Sequence, residues 1–199
     1  MPMSRRDEVL HAALDLLDEV GLDALTTRRL AHRLGVQPGA LYRHFDSKRT
    51  LLAALVDHLV TSSNDPGALA PTAGDWAAQL RAAATGYRAA LLTRRDGARL
   101  VATHLRPTQA TARQTWNRLL GIMRDAGLPA EDAELAVDTV FAYVNGFAIE
   151  EQSRDGFPQP AARRAWRDDG FQAGLDLILT GIRHRLTPSG GRPSRVDLR

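Results

Sequence analysis

Residues 26–52, Thr-Thr-Arg-Arg-Leu-Ala-His-Arg-Leu-Gly-Val-Gln-Pro-Gly-Ala-Leu-Tyr-Arg-His-Phe-Asp-Ser-Lys-Arg-Thr-Leu-Leu, leave the N-terminal part of this chain few ways to fold. The stretch reads as two short helices separated by a turn at Gly35, with a further helix opening near Lys48. Leu30, Ala31, Leu34, Val36, Leu41 and Phe45 form an inward set in such a unit. Arg28, Arg29, Arg33, Arg43, Lys48 and Arg49 then lie outside, against the single acid Asp46. A compact helix pair with one basic side has the shape and charge that a helix-turn-helix needs to enter a DNA groove.

The rest of the chain reads as helical too, so the expected fold class is all-α. Val, Ile and Thr never gather in alternating runs, whereas Ala and Leu recur at helical spacing. Helices are expected over 5–20, 27–34, 38–44, from Ser47 onward, and over 75–93, 96–104, 108–126, 129–152 and 162–186. Ser4 with Asp7 resembles a capping box, Gly21 is a natural stop, and Gly170 is a candidate break in the last helix. Residues 62–74 interrupt the pattern with Pro, Gly, Ser and Asn. The expected organisation is a helix-turn-helix domain over 1–46, a connecting helix over 47–64, a helical ligand-binding and dimerisation domain over 65–187, and a disordered tail over 188–199.

Composition narrows the function. With 44% hydrophobic and 25% charged residues, the chain has the make-up of a globular protein. No apolar run approaches the roughly 20 residues that cross a bilayer, and the N-terminus lacks a signal peptide's apolar segment. The expectation is a cytoplasmic protein with no membrane partner. Zero cysteines exclude disulfides and thiolate chemistry. The net charge of +3 says little by itself, but residues 24–49 carry six Arg or Lys against one acid.

At the start of the second short helix, Gln37, Pro38, Gly39 and Ala40 stand where a recognition helix meets base edges. Gly39 and Ala40 have almost no side chain, so the backbone can approach the groove closely. The Ala40 methyl suits a thymine methyl, and Gln37 an adenine edge. Arg28 can reach a guanine with both guanidinium nitrogens. Thr27, Tyr42, His44 and Lys48 suit phosphate contacts, which give affinity without reading sequence. The competing reading is a small helical bundle whose arginines are merely solvated.

These residues resemble the TetR family of bacterial transcriptional repressors. The matching pattern is Leu14, Gly21, Thr26-Thr27-Arg28, Leu30-Ala31, Leu34-Gly35-Val36, Leu41-Tyr42-Arg43-His44-Phe45, Lys48 and Leu51-Leu52. The resemblance implies a DNA-binding head of three helices, including Thr26 among its contacts, joined by the next helix to a ligand-binding body. Leu91-Leu92, Arg95-Asp96-Gly97-Ala98, Arg106-Pro107, Gly146 and Glu150-Glu151-Gln152 look like the body of the tetracycline repressors. There the resemblance implies a drug–magnesium chelate among the body helices and a four-helix bundle with a second subunit. This chain departs from that pattern. It has Asn64 where those repressors have a histidine, Ala83 for a drug-holding asparagine, and Tyr87 for a phenylalanine. Val101 or Ala102 falls where their metal-binding histidine belongs. The implied effector is therefore a small molecule other than tetracycline–magnesium, and no cofactor or metal is expected.

The candidate ligand-binding residues are Asn64, Tyr87, His104, Arg106, Trp116, Asn117 and Glu150. His104 has no adjacent ligating partner, so a metal role is not assigned to it. Glu150 and Glu151 diverge by about 100° on a helix and cannot converge on one reacting atom; a cap or a solvated face is expected for them. No Ser-His-Asp signature, phosphate-cradling glycine loop or HExxH occurs, so no enzyme activity is expected. Val140, Val144 and Phe147 on one helix, with Phe171, Leu175, Ile178 and Ile182 on the last, form apolar stripes that suit either an internal core or a homodimer seam; the resemblance favours the seam. The expected function is a homodimeric, ligand-responsive repressor of double-stranded operator DNA. The alternative is a helical small-molecule sensor or carrier without sequence-specific DNA binding.

Overall fold

In a computed structural model of the chain, residues 4–62, 75–104 and 110–186 are described, side chains 62 and 110–112 excepted. Among the described residues there are nine helices and no strand: α1 Arg5–Ala24, α2 Thr27–Arg33, α3 Pro38–Leu41, α4 Lys48–Ser62, α5 Trp76–Leu91, α6 Gly97–His104, α7 Ala110–Asp125, α8 Ala130–Asp155 and α9 Ala161–Leu186. Asn64, Arg106 and the tail from 187 onward lie outside the described residues.

Local chemistry accounts for most boundaries. The Ser4 hydroxyl accepts the Asp7 N–H at 3.2 Å and opens α1. Gly21, at φ +77°, breaks α1 near its end, so the expected stop is a kink followed by one further turn. Thr26 caps α2 by accepting the Arg29 N–H at 3.2 Å. Ahead of α4, Ser47 and Thr50 cap reciprocally: each side-chain oxygen accepts the other's N–H, at 3.2 and 2.8 Å. Two expectations need correction. α3 is shorter than foreseen, because residues 42–44 form a turn in which the His44 and Phe45 N–H groups share the Leu41 carbonyl. α9 runs unbroken through Gly170. Glycine costs a helix interior only about 1 kcal/mol relative to alanine, and buried Arg167 and Phe171 anchor both sides of it.

α1, α2 and α3 enclose Leu14, Leu17, Leu25, Leu30, Leu41 and Phe45, with the Arg6 guanidinium 4.9 Å over the Phe45 ring. α4 buries Leu51, Leu52, Leu55, Val56 and Leu59, packing on α1, α5, α6 and α7. It is therefore the covalent lever between the N-terminal head and the C-terminal body. The body core is Leu80, Leu91, Leu100, Leu119, Met123, Val140, Val144 and Phe171.

Where α1 meets α4, the His11 and His58 rings stand edge to face, 5.6 Å apart. Burial pushes the His58 imidazole below the usual histidine value, and the charges of His11 and Arg94 push the same way, against Asp7. A depressed folded value means that the unfolded chain binds the proton more readily. Stability from this site is thus intact above about pH 6.5 and is lost as the pH falls toward the folded value. A His58→Gln variant should show a flatter dependence of its urea midpoint between pH 7 and 5 than the parent; parallel curves would contradict this.

Candidate nucleic-acid interface

The second helix of the pair meets solvent with its smallest residues. Pro38 occupies the first turn of α3, where its missing N–H costs nothing, and Gln37 precedes it in an extended conformation. Gln37, Pro38 and Gly39 are exposed and Ala40 is half-buried. A Cβ built on Gly39 meets no atom within 4 Å, so nothing in the protein covers it. Tyr42, Lys48 and Arg28 are exposed, and Thr27 and His44 are half-buried. Thr26 already spends its hydroxyl on the α2 cap.

Arg28, Arg29, His32 and Arg33 border a groove of about 590 Å³ together with Leu16, Glu19 and Thr26. Arg33 donates to Glu19 at 2.7 Å, which ties α2 to α1, while no ion pair involves Arg28 among the described residues. Lys48 is not part of that groove. It lines a second cleft, between head and body, with Leu22, Asp23, Leu52, Arg99, Thr103 and His104.

The tight turn between α5 and α6 holds the head from the other side. Arg94 donates to the Asp18 carboxylate at 2.8 Å, and the Arg95 N–H donates to its other oxygen at 2.8 Å. The Leu22 N–H, just past the kink at Gly21, donates to Asp96 at 2.8 Å. Asp96 sits at φ +56°, and a Cβ on Gly97 would lie 2.2 Å from the Leu91 carbonyl oxygen, so the turn demands glycine there. Arg95-Asp96-Gly97-Ala98 stands out in the sequence only through the family resemblance. The aspartate–glycine pair was the usable signal for a turn with left-handed backbone.

In the body, Tyr87 of α5 and Trp116 of α7 converge on Phe141 of α8, with ring centroids 5.0 and 5.9 Å from it. The Tyr87 hydroxyl donates to Asn145 at 3.1 Å, and burial pushes its pKa up to about 12. Phe141 and Asn145, one turn apart on α8 and facing the same way, were not among the expected ligand-binding residues. The other candidates do not join this cluster. His104 pairs through Nδ1 with the Thr103 hydroxyl at 2.6 Å and lines the head–body cleft. Asn117 is exposed, one position round the helix from Trp116. Glu150 is exposed and ion-paired with Arg154 at 3.2 Å.

Glu151 corrects the expectation of a solvated face, because it is fully buried. Arg88 donates to both of its oxygens, at 3.0 and 2.8 Å, and to Asp168 at 2.6 Å. Burial lowers the affinity of the Arg88 guanidinium for its proton, but the bonds to Glu151 and Asp168 outweigh this and raise its pKa.

Most of the expected dimer stripe faces inward in the protomer. Val140, Val144, Phe171 and Leu175 are wholly buried inside the protomer and Ile182 nearly so, while Phe147 and Ile178 are half-buried. The large apolar residues left in solvent on α8 and α9 are Leu135, Trp166 and Leu177, which are 53%, 62% and 77% exposed. Beside Leu135 runs a groove of about 300 Å³ between the two helices, lined by Leu128, Thr139, Ile178 and Gly181 among others. Most of the stripe identified from spacing is thus part of the body core, and α8 meets α9 through Tyr143 and Phe147 on Phe171.

Comparison with known proteins gives a consistent picture. The model described as bacterial regulatory proteins, tetR family, matches residues 9–55, and that of the tetracyclin repressor-like C-terminal domain matches residues 69–168. The chain is 44% identical over 196 residues to the tetracycline repressor protein class A from transposon 1721 of Escherichia coli, covering 89% of each chain. A TetR variant from Acinetobacter baumannii AYE, crystallised in complex with minocycline, has a similar structure. It has a TM-score of 0.79 at 35% identity, covering 94% of this chain and 99% of that one. BioQ, crystallised with its natural double-stranded DNA operator, has a TM-score of 0.73 at 34% identity, covering 90% of this chain and 98% of that one.

Proposed function

The chain belongs to the TetR family of bacterial regulatory proteins, and from that premise we propose a homodimeric repressor whose two heads bind a palindromic operator and whose body binds a releasing small molecule. The observation that carries the DNA reading is the bare N-terminal end of α3. Gly39 has open space where a side chain would stand, and Gln37, Pro38, Ala40 and Tyr42 surround it at the surface. Arg28 stands on α2 among basic neighbours and has no ion pair among the described residues, which leaves its guanidinium available for a base edge.

Homodimerisation places two heads on one duplex, with half-sites about one helical turn or a multiple apart. Leu135 and Leu177 are the residues best placed for the seam, since they are apolar and uncovered in the protomer. An effector seated by Tyr87, Trp116 and Phe141 acts by binding one head separation better than another, and α4 carries the difference to the head. That effector is a small aromatic or apolar molecule held without a metal. Where the tetracycline repressors place a metal-binding histidine, this chain has buried Val101 or exposed Ala102.

The test is selection of duplexes from a random library by the full-length chain, followed by gel-shift titration at several salt concentrations. A repressor gives an enriched palindrome and an affinity that falls with salt as released counterions require. Equal affinity for selected and scrambled duplexes removes the reading and leaves a small-molecule sensor or carrier. In the same assay, Arg28→Ala should weaken the selected site by about 1–3 kcal/mol and relax preference at one base pair. A uniform loss across all sequences would instead make Arg28 a phosphate contact.

A further inference from the structure

We infer that Gln152 is a positioning residue: acting through the turn between α5 and α6, it holds the DNA-binding head at a fixed attitude to α8 and so sets the half-site spacing that a dimer accepts. The inference rests on the operator-binding reading above and adds to it a residue that touches neither DNA nor effector.

Gln152 lies on α8 beside buried Glu151, and its side chain reaches across to the end of α5 and the start of α6. Its amide N–H groups donate to the Leu91 carbonyl at 3.2 Å and the Arg94 carbonyl at 2.8 Å. Its carbonyl accepts the Ala98 N–H at 3.1 Å. Two carbonyls on one side and an N–H on the other dictate which end of the amide is which. The groups it bonds are the last carbonyl of α5, a carbonyl of the turn that also accepts the Gly97 N–H at 3.1 Å, and an N–H in the first turn of α6. No hydrocarbon or carboxylate of similar size meets all three.

The far side of the same turn grips the head. Asp18 accepts from the Arg94 side chain and from the Arg95 N–H, and Arg95 donates to the Glu19 carbonyl at 2.9 Å. Asp96 accepts from the Leu22 N–H, beyond the kink in α1. Between the two grips the backbone is close-packed, since a Cβ on Gly97 would stand 2.2 Å from the Leu91 carbonyl oxygen. A displacement of α8 therefore reaches α1 through a rigid turn clamped on both sides. The covalent route from head to body is α4, and the clamp at the turn is a second, non-covalent tie between them. On its outer side α8 exposes Leu135, on the face assigned to the dimer seam, so its position is referenced to the second subunit.

The experiment uses the full-length chain and its selected operator, alongside operators in which one or two base pairs are inserted or deleted between the half-sites. The readout is the ratio of affinities for the selected and altered spacings, measured with the circular dichroism melt and dimer mass of each variant. Gln152→Met, similar in size but unable to make these hydrogen bonds, is expected to lower that ratio by about tenfold, the scale of one net hydrogen bond. Tyr143→Phe, which removes the 3.0 Å bond from the Tyr143 hydroxyl to the Phe171 carbonyl elsewhere on α8, should leave the ratio at the parent value. A folded, dimeric Gln152→Met with the parent's ratio overturns the inference. So does an equal fall in both variants, which would mark general loosening of the body. If Gln152→Met does not fold, Gln152→Asn, whose shorter amide cannot span both helix ends, decides by the same ratio. A parent that selects no operator would instead sink the repressor reading, a distinguishable result.

Discussion

Glu151→Ala is expected to cost about 3–5 kcal/mol of folding stability, the usual penalty when one partner of a buried ion pair is removed. The Arg88 guanidinium it leaves behind is almost wholly buried, 5.5 Å from the centroid of Phe147 and 4.8 Å from that of Phe171. Its remaining carboxylate, Asp168, is half in water and reaches one nitrogen only. The pair ties α5 to α8, and Asp168 adds α9, so the lesion loosens three helices together. Urea unfolding at a fixed protomer concentration measures the effect, because the proposed dimerisation would make the midpoint concentration-dependent. The double variant Arg88→Met/Glu151→Leu should recover most of the loss, since apolar side chains of similar volume need no pairing. If Glu151→Ala costs less than about 1 kcal/mol, water reaches the guanidinium and the pair is not closed as described.

Gly97→Ala should be nearly as damaging, at about 3 kcal/mol, for a reason unrelated to charge. The added Cβ would stand 2.2 Å from the backbone oxygen of Leu91, and a backbone oxygen cannot turn aside as the tip of a side chain can. The start of α6 must move away from α5, pulling on the Asp96–Leu22 and Asp18–Arg95 bonds to the head. Operator affinity should fall together with stability. Gly121→Ala is the contrast. A Cβ there meets nothing within 4 Å, and alanine should stabilise α7 by about 0.5–1 kcal/mol. Equal stability in the two variants would show that the turn yields more easily than its geometry allows.

How much was legible in advance follows from how far apart the determining residues lie. The head was readable because its signals are local. Thr26, Gly35, Pro38 and the Ser47–Thr50 pair each act within three or four residues, through caps and turns. The body helices were readable as helices for the same reason. Their facing was not. Val140, Val144, Phe171 and Leu175 make an apolar stripe whether the partner is α9 of the same chain or a second subunit, and spacing alone does not distinguish the two. Glu150 and Glu151 are chemically identical neighbours. Only the arrival of Arg88, 63 positions away, makes one a buried anchor and the other a surface charge.

The amino-acid order thus settled by itself that this is an all-helical chain with a basic helix-turn-helix at its front, because periodicity, capping and glycine placement are short-range properties. Tertiary packing alone decided which apolar face is internal, which leucines remain uncovered, and that Gln152 bridges two helix ends at a turn that also grips α1. Those outcomes depend on contacts between residues from about 28 to 77 positions apart, far beyond the reach of a helical turn. The sequence names the groups that make these contacts, but only the folded chain brings them within hydrogen-bonding distance.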